Sequence, residues 1–304
     1  MTTREVFGAV EGGGTKFVCM VGTGPSDVVD EVTIPTTNPA DTIGAVIEFL
    51  ARKRPGIALA ALGVATFGPI GLDPRSETYG RVLKTTKEEW SGARVLAPIA
   101  RRLGVPIGWD TDVNGAILGE ARWGAAQGID PALYLTVGTG IGGGALVNGA
   151  TVHGLLHPEM GHLPVPSVPG DSFPGICSFH GHCLEGVASG PAIAARIGRP
   201  VAELRPEDPT WDLVARYLAY GISSLVLALS PRRVVLGGGV MKQPHLLPRV
   251  RRAFVDVLNG YVDVPEIVEH VDEYLVLSSL DQRAGLFGAV VLAERALAGK
   301  GGGS

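Results

Sequence analysis

Three glycine clusters, each set against a short apolar run, constrain this chain more than any other feature. Val6 to Val10 leads into Gly12-Gly13-Gly14, Leu133 to Val137 into Gly138 through Gly144, and Arg233 to Leu236 into Gly237-Gly238-Gly239. Apolar runs follow the first two, Phe17 to Val21 and Gly143 to Val147, so each reads as strand, glycine turn, strand. Glycine removes the Cβ that keeps an anion away from backbone N–H groups. The chain holds 44 glycines in 304 residues without a collagen period, so they read as tight turns and ligand loops. One such turn alone is most simply a hairpin. Three beside strands, two of them carrying Thr15 and Thr139 and the first also Lys16, point to phosphate binding. Neither a P-loop nor a dinucleotide fingerprint fits the first two, because a strand follows the glycines where those motifs need a helix. The third lies between a strand and an expected helix, where nucleotide loops often sit.

The rest of the chain supports an α/β architecture. Val29 to Ile34 continues the opening hairpins as a third strand. A helix follows, with Asp41 as its expected cap and Ile43, Val46, Ile47 and Leu50 on one face. Leu59 to Ala65 reads as a buried strand, 97–103 as a helix and Val105 to Trp109 as another strand. That closes a first lobe over 1–112, to which a returning helix at about 284–298 is assigned. A second lobe, 113–283, repeats the series: helix 114–126, the strand–turn–strand of the second cluster, helix 211–229 and strand 233–236. Residues 299–304 are expected to be a flexible tail. The likeness of the two openings amounts to a weak internal duplication.

Composition narrows the function classes. With 26 Lys and Arg against 30 Asp and Glu the chain is mildly acidic, which argues against nucleic-acid binding by bulk charge. No run reaches the roughly 18 uninterrupted apolar residues of a membrane span, and no signal-peptide pattern opens the chain. Three cysteines in a chain this long do not make a disulfide framework, so a reducing cytoplasm is expected.

Two constellations carry chemistry. Trp109-Asp110-Thr111-Asp112-Val113-Asn114 ends a strand, at the sheet edge where α/β folds bind substrates. A carboxylate there can take a proton from a hydroxyl that attacks phosphorus, or it can simply cap the next helix; Asp110 and Asp112 cannot both be the base. Further on, His162, Cys177, His180 and Cys183 form H-x14-C-x2-H-x2-C within an irregular loop, 157–183. Two thiolates and two imidazoles suit a closed, structural zinc site, with a Cys177–Cys183 disulfide as the disfavoured alternative. Cys19 reads as core, and His153 and His182 as ordinary surface or loop histidines.

Together these pieces resemble the ROK family of bacterial sugar kinases, within the actin, Hsp70 and hexokinase superfamily. The resemblance runs from residue 6 to about 297 and is most specific in His157-Pro158-Glu159-Met160-Gly161-His162, Cys177-x2-His180-x2-Cys183-Leu184-Glu185-Gly186 and Ala188-Ser189-Gly190-Pro191-Ala192-Ile193. With Glu11-Gly12-Gly13-Gly14-Thr15-Lys16 at the start, the pattern is similar to the zinc-containing fructokinase branch. It implies a two-lobed, ribonuclease H-like α/β fold with a zinc-binding loop in the second lobe. It also implies ATP-dependent phosphorylation of a hexose at O6, with Asp112 as the general base and magnesium accompanying ATP. Gly13, Gly14, Thr15 and Lys16 would form the first phosphate loop, and Thr139 and Gly140 the second. Gly237, Gly238, Gly239, Val240 and Met241 would hold the adenosine, with Pro191 in a segment lining the nucleotide. Asn114, Glu159, His162 and Glu185 would meet the sugar, and His162 would also bind structural zinc through its other ring nitrogen. A homodimer is implied, with no nucleic-acid or membrane partner. Repressor members of the family carry a helix-turn-helix segment ahead of the kinase-like part, whereas about five residues precede the first strand here. Two positions depart from the pattern: Glu11 stands where many members have Asp, and Thr111 where glucose-phosphorylating relatives often have Asn. The second departure favours fructose or mannose over glucose.

Overall fold

The computed structural model describes residues 3–301, which divide into two compact units. The first comprises the residues up to Gln127, Thr151–Pro158 and those from Arg283 onward; the second comprises Gly128–Ala150 and Glu159–Gln282. The first unit takes in the helix after Thr111, where the sequence expectation ended the lobe at 112.

Five strands build the sheet of the first unit: β1 (Arg4–Gly12), β2 (Lys16–Gly24), β3 (Asp27–Pro35), β4 (Ile57–Thr66) and β5 (Ile107–Thr111). Their order is β3-β2-β1-β4-β5, antiparallel across β1/β2 and β2/β3 and parallel across β1/β4 and β4/β5. Short glycine and polar turns permit the hairpins, while the parallel steps need helical crossovers. These are α1 (Pro39–Ala51) and α2 (Leu96–Leu103). The cap of α1 is Asn38, not Asp41: Asn38 Oδ1 accepts the Asp41 N–H at 3.0 Å, and its amide donates to the Asp41 carboxylate at 2.7 Å. Pro39, pre-set for a helix's first turn, fixes the start there. Val6, Val10, Cys19, Leu62, Val64 and Ile99 lie in one core.

α3 (Asp112–Trp123) and the C-terminal helix Ala284–Gly301 lie together in this unit, brought close by glycines. A Cβ on Gly63 would fall 1.7 Å from the carbonyl oxygen of Ala289, and one on Gly288 would fall 1.6 Å from that of Gly115. Only a missing side chain lets these backbones approach so closely. Residues 299–301, expected in a flexible tail, instead continue this helix; the rest of that tail, 302–304, lies outside the described residues.

The second unit holds the sheet β10-β9-β6-β7-β8, made from β6 (Ala132–Val137), β7 (Ile141–Val147), β8 (Ala150–Thr151), β9 (Arg233–Gly237) and β10 (Leu275–Leu277). Here β6/β7 is antiparallel, and β6/β9 and β9/β10 are parallel. Counted from its own first strand, each sheet runs 3-2-1-4-5, so the duplication seen in the glycine turns is a repeat of topology. The helices are α4 (Leu184–Ala188), α5 (Gly190–Ile197), α6 (Thr210–Leu229), α7 (Leu246–Leu258) and the short α8 (Pro265–Val268) and α9 (Val271–Tyr274). The third glycine turn leads first into a single 3₁₀ turn, Val240–Lys242, and reaches α7 only after it. Among the described residues α6 alone is long and apolar enough to cross a membrane, but its Trp211, Val214, Tyr217, Leu218 and Ile222 are buried, and it packs against α4 and α7.

Candidate active site

In the first unit the β1–β2 turn is tightly held. Gly13 N–H donates to the Lys16 carbonyl at 2.8 Å, the Thr36 hydroxyl donates to the Gly13 carbonyl at 2.8 Å, and Thr36 N–H donates to the Thr15 carbonyl at 3.0 Å. Gly12 must be glycine, since a Cβ would lie 2.4 Å from Thr66 Oγ1 and 2.7 Å from the Phe17 ring. The carbonyls of Gly13, Thr15 and Lys16 are thus engaged. Among the described residues the N–H groups of Gly14 and Thr15 meet no acceptor, and Thr15 and Lys16 are exposed. Such a turn presents donors and a cation to an anion.

Asp112 and Asn114 sit where β5 hands over to α3. The capping alternative is resolved by Thr111, whose Oγ1 accepts the Asn114 N–H at 3.2 Å. Asp112 is therefore the first helical residue, half-buried, with Oδ1 accepting the Val113 N–H at 2.9 Å. Burial lifts its carboxyl to about 6, opposed by that backbone bond. Asp110 is different. It is 1% exposed, and its oxygens take the Thr111 N–H and Asn114 Nδ2 at 2.8 Å, the Thr151 hydroxyl at 2.9 Å and His153 Nε2 at 3.0 Å. Its acceptor sites are filled, so it anchors the strand end and has no lone pair left for a substrate proton. His153, expected to be an ordinary loop histidine, is part of that anchor, and its hydrogen bond to Asp110 holds its pKa above the usual range. Asn114 is buried with its amide nitrogen committed to Asp110, while its Oδ1 has no partner among the described residues.

Glu11, at the end of β1, lies against the C-terminal helix: a Cβ on Gly285 would meet its Oε1 at 2.5 Å, and Leu286 N–H donates to it. Burial and the repulsion of Asp112 push its carboxyl up to about 8, against the pull of Lys16. Two neighbouring carboxylates with a lysine beside them fit the environment of a divalent cation that travels with phosphate.

In the second unit the other two glycine turns converge. Gly190 N–H donates to the Gly138 carbonyl at 2.8 Å, placing Pro191 and the start of α5 beside the β6–β7 turn. A Cβ on Gly190 would lie 3.6 Å from Val240 Cγ2, and one on Gly138 would lie 3.6 Å from the Gly239 nitrogen. Gly238 needs its φ of +90°, because its backbone rides over Val137. Thr139 and Gly239 are exposed at this junction, with Gly237, Val240 and Met241 buried behind them. Glu185 Oε2 accepts the Ile141 N–H at 2.9 Å, which ties α4 to the same turn. Glu159 precedes the 3₁₀ turn Met160–His162, and its carbonyl accepts the His162 N–H at 3.0 Å.

The Cys/His cluster closes. His162 Nδ1 lies 3.7 Å from Cys177 Sγ and 3.6 Å from Cys183 Sγ, and Cys177 Sγ lies 3.6 Å from His180 Nδ1. All four donor atoms fall within 4.8 Å of one another. A tetrahedral zinc with its usual Zn–S and Zn–N bonds places S and N about 3.6 Å apart. Both cysteines are free, so the disulfide alternative does not hold. Burial pushes the Cys183 thiol up to about 11, so a thiolate there needs a cation beside it. The donor set fits zinc.

Comparison with known proteins places these features. The chain is 39% identical over 295 residues to a fructokinase of Zymomonas mobilis, covering 95% of this chain and 97% of that one. It is 37% identical over 292 residues to a fructokinase of Pediococcus pentosaceus, covering 96% and 99%. A ROK hexokinase from Thermus thermophilus matches with a TM-score of 0.77 at 29% identity, over 98% of this chain and 100% of that one. The two mixed sheets and their helices are thus the α/β fold that the resemblance implied. The ROK family pattern itself spans residues 7–296, both glycine-turn sheets and the Cys/His loop included, and the chain belongs to the ROK family.

Proposed function

We propose that this protein is an ATP-dependent hexose kinase that phosphorylates D-fructose at O6. The observation that carries the reading is the carboxylate of Asp112, which bonds only its own helix backbone, is freed from capping by Thr111 and has its pKa raised by burial. As the sugar O6 attacks the γ-phosphorus, Asp112 accepts the O6 proton; the O6–P bond forms, the bond to the β-phosphate oxygen breaks, and ADP leaves. The free N–H groups of Gly14 and Thr15 and the Lys16 ammonium stabilise the negative charge of the phosphates. Magnesium accompanying ATP would further screen that charge, and Glu11, ionised once a cation stands beside it, is the residue that would help to hold it. Thr139, Gly140, Pro191 and the Gly237–Met241 turn hold the rest of the nucleotide, and Asn114, Glu159, His162 and Glu185 meet the sugar. His162, Cys177, His180 and Cys183 would hold zinc, which would fix the ring of His162 and so orient the sugar-binding loop.

Fructose is favoured over glucose on two grounds. Both fructokinase relatives are near 40% identical over almost the whole chain, and the Thr111 hydroxyl is spent on the helix cap, leaving no amide there for a sugar hydroxyl. A homodimer in the cytoplasm completes the reading, in keeping with three unpaired cysteines. Coupled measurement of ADP release across fructose, mannose, glucose and N-acetylated hexoses, with metal analysis of the same preparation, tests it. Fructose should give the highest kcat/KM; a different hexose in first place transfers the specificity, and no hexose-dependent ADP removes the kinase assignment.

A further inference from the structure

Lys87 lies over the first glycine turn, although 70 residues separate it from that turn in sequence. A Cβ on Gly14 would sit 3.2 Å from Lys87 Cε, so the ammonium group, one bond further on, is held at the turn's exposed rim. The lysine is there because its segment is pinned. Three residues later Trp90, 2% exposed, stacks on Phe17 with ring centroids 5.4 Å apart and planes 22° apart, and meets Phe67 edge-on at 5.3 Å. Its indole N–H donates to the Thr37 carbonyl at 2.8 Å. Phe17 directly follows Lys16, so the aromatic stack fixes Lys87 relative to the same turn that carries Lys16. A 3₁₀ turn at Glu88–Trp90 starts from Lys87, whose carbonyl accepts the Trp90 N–H at 2.8 Å.

The charge of Lys87 is uncommitted. It is exposed, and among the described residues it makes no ion pair, although Glu88 and Glu89 follow it directly. A long flexible cation held against free backbone donors, with no acid of its own, is placed for an anion carried by a ligand. Lys16 is the only cation within the turn itself, and the terminal phosphate of a nucleoside triphosphate brings more charge than one lysine offsets. We propose that Lys87 binds the terminal phosphate of the nucleotide as a second cation of the first glycine turn, and strengthens its grip as charge shifts on phosphoryl transfer.

This rests on the kinase reading above, and the experiment separates the two. Lys87→Met, Lys87→Arg and the unmodified chain are compared by steady-state kinetics, and by calorimetry with ADP and a non-hydrolysable ATP analogue. With Lys87→Met, kcat/KM for ATP should fall roughly 10²-fold, the scale for losing one charge-stabilising donor. Affinity for the analogue should drop at least about tenfold more than affinity for ADP, which lacks the terminal phosphate. The sugar KM and the melting temperature should stay where they were, and Lys87→Arg should recover most of the loss. Kinetics and analogue affinity within about twofold of the parent would overturn the assignment, as would equal losses of ADP and analogue affinity. If the unmodified chain makes no ADP with any hexose yet binds the analogue through Lys87, the kinase reading fails and the phosphate contact stands.

Discussion

Thr111 Oγ1 accepts the backbone N–H of Asn114 at 3.2 Å, and this bond makes threonine, not aspartate, the cap of the helix that begins at Asp112. The two roles open to an aspartate at this point are thereby divided between neighbours. Asp110, one residue before the cap, is fully engaged as an acceptor, and Asp112, one residue after it, bonds only its own helix backbone.

Asp112→Asn should keep the helix, because the cap is elsewhere, and remove the proton acceptor. Turnover should fall by about 10²–10⁴, the usual contribution of a positioned base. Sugar and nucleotide affinities measured by calorimetry should stay close to the parent values. Near-normal turnover would take the base away from this residue, and the engaged oxygens of Asp110 make that residue a poor replacement.

The pH dependence follows from the same carboxyl. Its pKa is raised by burial to about 6, and a general base works in its charged form. With Asp112 as the base, activity should be full well above that value and be lost as pH falls through it. The kcat/KM profile, which reports the free enzyme, should show an acid limb near 6. Glu11, held near 8, is already protonated on that limb, so Glu11→Gln should leave the limb in place. A limb that moved with Glu11→Gln would assign the titration to the pair rather than to Asp112.

Much of this site could be read from the sequence, because the informative signals are local. A glycine turn and its flanking strands are contiguous in the chain, as in residues 4–24 and 132–147, and Cys177, His180 and Cys183 share one loop. What escaped was set by contacts between distant segments or by competition between adjacent groups. His153 reaches Asp110 across 43 residues, and no spacing rule links them. Asn38 and Thr111 each took a capping role from an aspartate that local preference ranks at least as highly, since position relative to the first helical turn decides between candidate caps. Gly285 and Gly288 gain their meaning only when the C-terminal helix lies against α3 and Glu11.

Metal removal should be visible in both stability and sugar binding. Cys177→Ser or His180→Ala takes one ligand from a four-ligand site, and the purified variant should carry little or no zinc. Loosening of the loop that holds His162 should raise the fructose KM with a smaller change in kcat, and the melting temperature should fall. Kinetics that are identical with and without zinc would show that the metal has no part in placing the sugar.

The Cys/His loop has a second fastening. Asp171, lying between His162 and Cys177 in the chain, accepts from Arg196 Nη1 and from the Tyr217 hydroxyl, both at 2.5 Å, and its pair with Arg196 is 6% and 9% exposed. Arg196 also stacks on Phe173 at 4.3 Å. Asp171→Ala should cost about 3–5 kcal/mol, since it strands a buried guanidinium. The double variant with Arg196→Ala should cost less than the sum of the two single losses, measured by urea unfolding. Simple additivity would mean that the pair contributes no coupling.

Two glycines in helices, Gly288 and Gly44, stand in opposite surroundings. Gly288 faces α3, where an added Cβ would stand 1.6 Å from the Gly115 carbonyl oxygen, a backbone atom that cannot swing aside. Gly44, in the middle of α1, would meet nothing within 4 Å. The same substitution should therefore have opposite signs. Gly288→Ala forces two packed helices apart, at a cost of about 3 kcal/mol or more. Gly44→Ala only removes freedom from the unfolded chain, and it should stabilise by about 0.5–1 kcal/mol. Paired urea melts read both directly, and a neutral Gly288→Ala would show that the C-terminal helix can shift along α3 without loss.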